Sequence, residues 1–167
     1  MNKIKLLVLD VDGTLTDGKI NMGESGELFK SFSILDGYGI KDLAIPSGIV
    51  PTIITGRLSK IVDNRALELG ITNIFQGESD KLTVLKKIMA EKSIKAEETA
   101  YIGDDLNDAE TMLFVKKGGG IIGAPANAVE KIKEIANYNC KRQGGDGAVR
   151  EFIEYLLEKK FWLGLKK

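Results

Sequence analysis

The stretch that decides the fold is Ile4-Lys5-Leu6-Leu7-Val8-Leu9-Asp10-Val11-Asp12-Gly13-Thr14. Its first half is apolar at nearly every position, which is typical of a strand covered on both faces of a parallel sheet. Its second half carries two carboxylates one residue apart, and Gly13 allows the chain to turn away after them. An Asp-rich turn is the alternative, but an unpaired carboxylate that directly follows a buried strand is costly. Asp10 is therefore a candidate functional residue.

Short apolar runs recur along the chain, and a segment with helical periodicity usually follows each of them. Runs of this kind predict buried strands, and apolar residues at steps of three and four predict helices. The alternation predicts an α/β fold with a three-layer, Rossmann-like parallel sheet and helices on both faces. No internal repeat or Pro/Ser-rich linker interrupts it, so we expect a single domain over residues 1–167. The predicted strands are residues 4–9, 49–54, 73–75, 99–102 and 120–122, and the predicted helices are residues 58–69, 81–92, 107–116, 128–136 and 148–159.

One segment, residues 17–33, departs from this alternation. Two stretches of alternating polarity, residues 19–22 and 27–32, flank the polar turn Gly23-Glu24-Ser25-Gly26. This pattern predicts a β-hairpin inserted after the first strand. A two-stranded hairpin alone is only marginally stable in water, so we expect it to pack on another surface, such as a second subunit.

The composition narrows the chemistry that the chain can perform. It has 167 residues and no histidine, which excludes a Ser-His-Asp triad, a phosphohistidine and His-ligated zinc. Its single cysteine cannot form a disulfide or a zinc cluster within the chain. Lys and Arg total 24, as do Asp and Glu, and this balance disfavours nucleic acid or an anionic membrane as a partner. With no export signal and no disulfide framework, we expect a cytoplasmic protein.

Two further polar groups lie at the ends of predicted strands or the starts of predicted helices. Thr55-Gly56-Arg57 combines a hydroxyl, an unhindered backbone and the start of a helix, which suits a small anion. An N-cap threonine followed by a solvated arginine is the alternative. Lys81 opens the next helix, where its charge opposes the helix dipole unless an anion lies nearby. Taken alone, Lys81 is better explained as a surface lysine.

A cluster of carboxylates follows the predicted strand at residues 99–102. Asp104, Asp105 and Asp108 lie within five residues, and they repel one another unless a cation or buried donors compensate. One of them is expected to cap the following helix. An oxygen-rich cluster without histidine or cysteine favours a hard ion such as Mg²⁺. The carboxyl ends of parallel strands share one sheet edge, so we expect all of these groups to converge there.

The order of these motifs resembles the haloacid dehalogenase superfamily of phosphohydrolases, in which an aspartate is the nucleophile. The resemblance spans nearly the whole chain. It implies that Asp10 attacks phosphorus to give an aspartyl-phosphate and that Asp12 is the general acid and base. It also implies that Thr55, Gly56 and Lys81 bind the phosphoryl oxygens.

The same resemblance implies a Mg²⁺ cofactor and its ligands. The Asp10 carboxylate, the backbone carbonyl of Asp12 and Asp104 would hold the ion. Asp105 or Asp108 would contact these ligands and tune them.

The gaps between the motifs leave no room for a cap domain, because only the hairpin fills the first gap. This resembles the capless subfamily that includes 3-deoxy-D-manno-octulosonate 8-phosphate phosphatases, whose members are homotetramers. The resemblance also covers residues 36–40, 75–77, 101–106 and 144–151. It implies hydrolysis of the eight-carbon sugar-acid phosphate. Two alternatives stay open: a phosphatase for a nine-carbon 2-keto-3-deoxy sugar acid 9-phosphate, and a non-catalytic oligomerisation module like the domains fused to cytidylyltransferases.

Three arginines are candidates for gripping the carboxylate of a sugar acid. Arg57 and Arg65 are eight residues apart, a spacing that places two side chains on one helix face. Similar nine-carbon phosphatases look acidic at the position of Arg57, so Arg57 favours the eight-carbon acid. Arg150 belongs to a Gly-rich tail and helix, residues 142–167, and the resemblance implies that the tail covers bound sugar acid. The hairpin and Phe161-Trp162-Leu163 motivate the expected homotetramer.

Overall fold

The computed structural model describes residues 4–164, with side chains as far as residue 158. The strands are β1 (Leu6–Leu9), β2 (Asn21–Gly23), β3 (Gly26–Phe29), β4 (Val50–Thr55), β5 (Asn73–Gln76), β6 (Thr99–Ile102), β7 (Ile121–Ala124) and β8 (Tyr138–Asn139). The α-helices are α1 (Ile34–Tyr38), α2 (Lys60–Leu69), α3 (Lys81–Lys92), α4 (Leu106–Lys117), α5 (Glu130–Ile135) and α6 (Ala148–Gly164). A π-helical segment, Gly39–Ala44, continues α1, and a short 3-10 helix, Ala96–Glu98, precedes β6.

Six of these strands form one sheet in the order β5-β4-β1-β6-β7-β8, and every pairing in it is parallel. β1 is central, because Leu6 pairs with Val50 of β4 on one side and with Thr99 of β6 on the other. The carboxyl ends of β4, β1 and β6 therefore lie side by side. This arrangement brings together the segments that follow these three strands.

The side chains of β1 alternate between two apolar layers, which explains why this strand is apolar throughout. Leu7 and Leu9 pack in a layer with α2, α6 and the π-helical segment. Leu6 and Val8 pack in a second layer with α3, α4 and α5. Both faces of the sheet are covered by helices, so the predicted three-layer α/β fold is confirmed.

The predicted hairpin is present, although it is shorter than expected. β2 and β3 pair antiparallel around Glu24 and Ser25, and together they span residues 21–29. The helical segment at residues 34–44 is not expected from the sequence, because Gly37 and Gly39 lower its helix propensity. These glycines allow close packing: a Cβ on Gly39 would lie 3.1 Å from the Cα of Arg150 in α6. β8 is also unexpected, since a two-residue strand leaves no periodic signal.

Within residues 4–164, none of the helices combines the length and the hydropathy that a membrane-spanning segment needs.

Candidate active site

A polar cleft of about 460 Å³ lies at the carboxyl edge of the sheet. This volume is in the range of small-molecule sites. The segments after β1, β4 and β6 all contribute to it, as expected of side chains at one sheet edge. The lining residues are Asp10, Asp12, Gly18, Thr55, Gly56, Arg57, Asp104, Asp105, Leu106 and Asn107.

Asp10 directly follows β1 and is paired with a buried lysine. Lys81, the first residue of α3, donates hydrogen bonds from Nζ to Asp10 Oδ1 and to Asp108 Oδ1, both at 2.7 Å. Lys81 is 2% exposed and Asp10 is 4% exposed. Burial lowers the pKa of Lys81, but attraction to Asp10 and Asp108 outweighs it, so the net shift of the pKa is upward. Lys81 is therefore a charged group inside the site and not a surface lysine.

Asp108 is fully buried, and three donors satisfy its carboxylate. Oδ1 accepts from Lys81 and from the Tyr101 hydroxyl, the latter at 2.7 Å, and Oδ2 accepts from the Asp104 backbone N–H at 3.2 Å. Burial and the charge of Asp108 raise the pKa of Tyr101, so its hydroxyl stays protonated and donates. Asp108 thus fixes Lys81 and ties α4 to the end of β6.

Sequence reasoning missed Tyr101, because it lies within an apolar strand. The one available signal is that a tyrosine in a buried strand needs a hydrogen-bond partner for its hydroxyl.

Asp10, Asp104 and Asp108 form a close group of carboxylates, each offering one oxygen within 4.8 Å of the others. Burial and repulsion from Asp108 raise the pKa of Asp10 despite Lys81, and the same two causes raise the pKa of Asp104 to about 6. A cation would relieve this repulsion, and an all-oxygen ligand set fits a hard divalent ion. Asp10 and Asp104 line the cleft, whereas Asp108 lies behind it.

The chain turns sharply at Gly13, immediately after the two motif carboxylates. The backbone N–H groups of residues 14–16 all donate to the carbonyl of Val11. Gly13 has φ +93°, and a Cβ there would overlap the carboxylate of Asp104, so glycine is required on both counts. The Thr14 hydroxyl donates to Asp104 Oδ1 at 3.3 Å. The turn thereby brings the Asp10 segment against the acidic cluster.

Asp12 contacts two cations, one of them from the hairpin. Lys30 Nζ lies 2.5 Å from Asp12 Oδ1 and 2.9 Å from Glu27 Oε1. Arg57 lies 3.6 Å from Asp12 Oδ2 and 3.3 Å from Glu27 Oε1. Sequence reasoning missed Lys30 and Glu27, because charged positions of an alternating hairpin are expected to face water.

Thr55, Gly56 and Asp105 complete the lining at the ends of β4 and β6. Thr55 is buried at the last position of β4. Gly56 is open, since a Cβ there would meet no atom nearer than 3.9 Å. Asp105 caps α4 by accepting from the backbone N–H of Leu106 at 2.7 Å, so it is the helix cap expected within the acidic cluster.

Arg65 and Arg150 are not among the residues that line the cleft, and their contact with a sugar acid stays a prediction. Arg65 lies in α2 and pairs with Glu68 at 2.8 Å, and Arg150 lies in α6 and pairs with Glu154 at 2.6 Å. Both helices pack against one face of the sheet. An eight-residue spacing places side chains on one helix face but does not fix which way that face points. Arg57 is the one of the three that lines the cleft.

The Gly-rich tail contacts the turn after Asp12 in its own chain. The Gly144 N–H donates to Asn127 Oδ1 at 2.6 Å, and the Gly145 N–H donates to the Thr14 carbonyl at 3.2 Å. Asp36 anchors the following helix by accepting from the Arg150 backbone N–H at 2.8 Å. The tail therefore contacts this turn, and its residues are not among those that line the cleft.

Comparison with known proteins agrees with this geometry. Residues 44–153 match the family model of the haloacid dehalogenase-like hydrolases. A 3-deoxy-D-manno-octulosonate 8-phosphate phosphatase of Yersinia pestis is 45% identical over 154 residues, covering 92% of this chain and 80% of the relative. The enzyme of that name from Escherichia coli K12 is also 45% identical, with 92% and 79% covered.

A solved structure indicates the same family. It is the 3-deoxy-D-manno-octulosonate 8-phosphate phosphatase of Moraxella catarrhalis in complex with magnesium, phosphate and 3-deoxy-D-manno-octulosonate (KDO). It superimposes with a TM-score of 0.86 at 40% identity and covers 98% of this chain and 94% of its own. The chain therefore belongs to the haloacid dehalogenase-like hydrolases, within the family of the 3-deoxy-D-manno-octulosonate 8-phosphate phosphatases.

Proposed function

We propose that this chain hydrolyses 3-deoxy-D-manno-octulosonate 8-phosphate to KDO and inorganic phosphate, with Asp10 as the nucleophile. The observation that carries the proposal is the buried pair of Asp10 and Lys81, which are 2.7 Å apart beside the cleft. Lys81 holds the Asp10 carboxylate in one orientation through Oδ1, and Asp10 lines the cleft. A carboxylate oxygen held in this way attacks phosphorus to form an aspartyl-phosphate.

Mg²⁺ is the metal cofactor of the proposed reaction. The Asp10 and Asp104 carboxylates and the Asp12 backbone carbonyl would hold it, while Asp105 and Asp108 support these ligands. The fit rests on the three carboxylate oxygens within 4.8 Å of one another and on the upward pKa shifts that their repulsion causes. When bound, Mg²⁺ neutralises charge so that an anionic nucleophile can approach an anionic phosphate.

Thr55, Gly56 and Lys81 bind the phosphoryl oxygens. Thr55 offers its hydroxyl and Gly56 an unhindered backbone N–H at the end of β4, while Lys81 supplies a charged donor beside Asp10. Charge on these oxygens rises in the transition state, so fixed donors lower the barrier.

Asp12 is the proton donor and acceptor. Its carboxyl O–H gives its proton to the bridging ester oxygen as the P–O bond breaks and the sugar alcohol leaves. The resulting carboxylate then takes a proton from the water that attacks phosphorus of the aspartyl-phosphate, which releases phosphate and restores Asp10.

Arg57 contributes substrate selectivity by binding the carboxylate of the sugar acid. Its guanidinium borders the cleft, and Nη1 is buried without a hydrogen-bond partner among the described residues. A buried donor of this kind gains from an anionic ligand. Arg57→Ala is expected to raise KM for the sugar-acid phosphate more than it lowers kcat.

Phosphate release from a panel of sugar phosphates tests the proposal. The panel contains the eight-carbon acid 8-phosphate, a nine-carbon acid 9-phosphate and glucose 6-phosphate, each with Mg²⁺ and with a chelator. We expect Mg²⁺-dependent turnover that is highest for the eight-carbon acid and is lost in Asp10→Asn. The matched control is Asp42→Asn, which changes an exposed carboxylate of the π-helical segment and should leave kcat/KM unchanged.

The two alternatives give different results in the same assay. A higher kcat/KM for the nine-carbon substrate would overturn the substrate assignment and leave the phosphatase chemistry intact. An inert wild-type protein would instead favour a non-catalytic oligomerisation module.

The proposal includes a homotetramer. The hairpin carries apolar side chains that are more than half exposed in one subunit, and a monomer would leave them in water. These residues are Ile20, Met22, Leu28 and Phe29. Phe161-Trp162-Leu163, which motivated the same expectation, have side chains outside the described residues. Light scattering should give the mass of four chains, and a monomer at working concentration would contradict the assembly.

A cytoplasmic location is also part of the proposal. Cys140 is buried, and burial raises its thiol pKa to about 12, so the thiol is protonated and unreactive. Such a cysteine is compatible with a reducing compartment.

A further inference from the structure

Lys30 is a buried cation that the chemistry above does not use. It follows β3 at the base of the hairpin, and its side chain is 1% exposed. It ion-pairs with Asp12 Oδ1 at 2.5 Å and with Glu27 Oε1 at 2.9 Å. Transfer of an ammonium group from water to such a site is costly, and an apolar side chain would anchor a hairpin with a smaller penalty. The retained charge therefore points to a role beyond anchoring.

The two oxygens of Asp12 have different surroundings. Oδ1 is engaged by Lys30, whereas Oδ2 is 3.6 Å from the Arg57 guanidinium, beyond hydrogen-bond distance. The short contact fixes the plane of the carboxylate and leaves Oδ2 as the oxygen available to a ligand in the cleft. A general acid needs this orientation, because proton transfer requires hydrogen-bond reach to the leaving oxygen.

Lys30 is in turn held by Glu27, the second residue of β3. Glu27 Oε1 pairs with Lys30, and Oε2 accepts from the Ser59 hydroxyl at 2.6 Å, just before α2. The hydrogen bond from Ser59, assisted by Lys30, lowers the pKa of Glu27 and keeps it charged. Glu27 thereby connects β3 to the start of α2, and Lys30 connects the end of β3 to Asp12.

From this geometry we infer that Lys30 is a positioning residue for proton transfer by Asp12. It holds Oδ1 so that Oδ2 faces the leaving group. The hairpin of this capless protein thus supplies part of the proton-transfer machinery. The inference rests on the proposed role of Asp12 and extends it to a residue outside the motifs that carry the family resemblance.

The test compares substrates whose leaving groups differ in their need for a proton. The substrates are KDO 8-phosphate, phenyl phosphate and 4-nitrophenyl phosphate, in order of increasing leaving-group acidity. In Lys30→Met, kcat/KM should fall about 100-fold for KDO 8-phosphate, the size of loss that misplaced catalytic groups cause. The loss should shrink to less than about tenfold for 4-nitrophenyl phosphate, because nitrophenolate leaves without protonation.

Three further variants make the outcome decisive. Lys30→Arg keeps the charge and should recover part of the loss, with the same dependence on leaving group. Lys19→Met changes an exposed lysine near the hairpin, 79% exposed at its side chain, and should behave as wild type. Asp12→Asn gives the reference pattern for a missing general acid. Thermal unfolding of each variant shows that it is folded.

The dependence of kcat/KM on the leaving group distinguishes the role of Lys30 from that of Asp12. Suppose that Asp12→Asn shows the leaving-group dependence. The inference is then overturned if Lys30→Met lowers kcat/KM equally for all three substrates or does not lower it at all. If Asp12→Asn shows no such dependence, the proposed role of Asp12 itself fails. If Lys30→Met does not fold, Lys30→Arg decides: a uniform loss across substrates counts against the inference, and a graded loss supports it.

Discussion

Replacing Asp108 by asparagine should damage both stability and catalysis, although Asp108 does not line the cleft. Its two oxygens accept three donors, from Lys81, Tyr101 and the Asp104 backbone. Asparagine has one acceptor oxygen and an NH₂ group, so at least one of the donors would face another donor. Breaking a buried charge pair costs about 3–5 kcal/mol. Lys81 retains Asp10 at 2.7 Å, so we expect the lower end, about 3 kcal/mol.

Urea unfolding and thermal melts measure this loss. A destabilisation of that size lowers Tm by roughly 6–12 °C in a chain of this length. Because Lys81 loses one of its two anchors, kcat should also fall, on the order of 100-fold. Tyr101→Phe, which removes one of the donors, should cost about 1.5 kcal/mol.

The control for Asp108→Asn is Glu91→Gln. Glu91 is an exposed carboxylate 4.0 Å from Lys87, and the change should alter stability by less than about 0.5 kcal/mol. An Asp108→Asn protein with near wild-type Tm and kcat would refute the assignment of Asp108 as the group that fixes Lys81.

Three other perturbations have defined outcomes. Burial raises the pKa of Asp36 to about 6 from 3.8, so between these pH values the folded protein binds a proton that the unfolded chain does not. The protonated Asp36 therefore stabilises the fold fully below pH 3.8, and this stabilisation is lost as the pH rises through 6. Between about pH 4 and pH 7, the free energy of unfolding of the metal-free wild type should fall on the order of 3 kcal/mol further than that of Asp36→Asn. Urea unfolding that gives the same pH dependence for both proteins would contradict this. Phe152→Ala empties a fully buried site of α6 and should cost about 3–5 kcal/mol in chemical unfolding, while kcat per folded molecule stays near wild type; a selective loss of kcat would show that α6 does more than support the core. Asp104→Asn removes one carboxylate of the acidic group and should weaken Mg²⁺ binding at least about tenfold in calorimetry, and unchanged affinity would remove Asp104 from the metal site.

The sheet was predictable because its signal is local and strong. Leu6, Leu7, Val8 and Leu9 each lie in one of the two core layers, so the strand is apolar at every position and stands out from amphipathic segments. The segment at residues 34–44 was not predictable, since its glycines serve close packing against α2 and α6 and weaken the helical pattern. Packing against distant parts of the chain decides such segments.

The site was predictable where chemistry and strand ends coincide. Asp10, Thr55 and Asp104 lie at or just after the carboxyl ends of strands that are neighbours in the sheet, so topology alone brings them together. Lys30 was missed because its partner, Asp12, lies 18 residues away in the sequence. Tyr101 was missed because it lies in an apolar strand, and a short pattern does not show that its buried hydroxyl donates to Asp108. Arg65 lies outside the cleft and pairs with Glu68, because an eight-residue spacing gives a helix face but not the direction of that face. Arg150, a candidate because of the Gly-rich tail, pairs with Glu154.

The stereochemical course of hydrolysis at phosphorus tests the central claim, nucleophilic attack by Asp10, most directly. The measurement uses a substrate analogue with an isotopically chiral thiophosphate, turned over by the Mg²⁺-loaded protein in isotopically labelled water. Attack by Asp10 followed by attack of water gives two in-line displacements, each of which inverts the configuration. We predict net retention. Net inversion would show direct attack by water and would contradict Asp10 as the nucleophile.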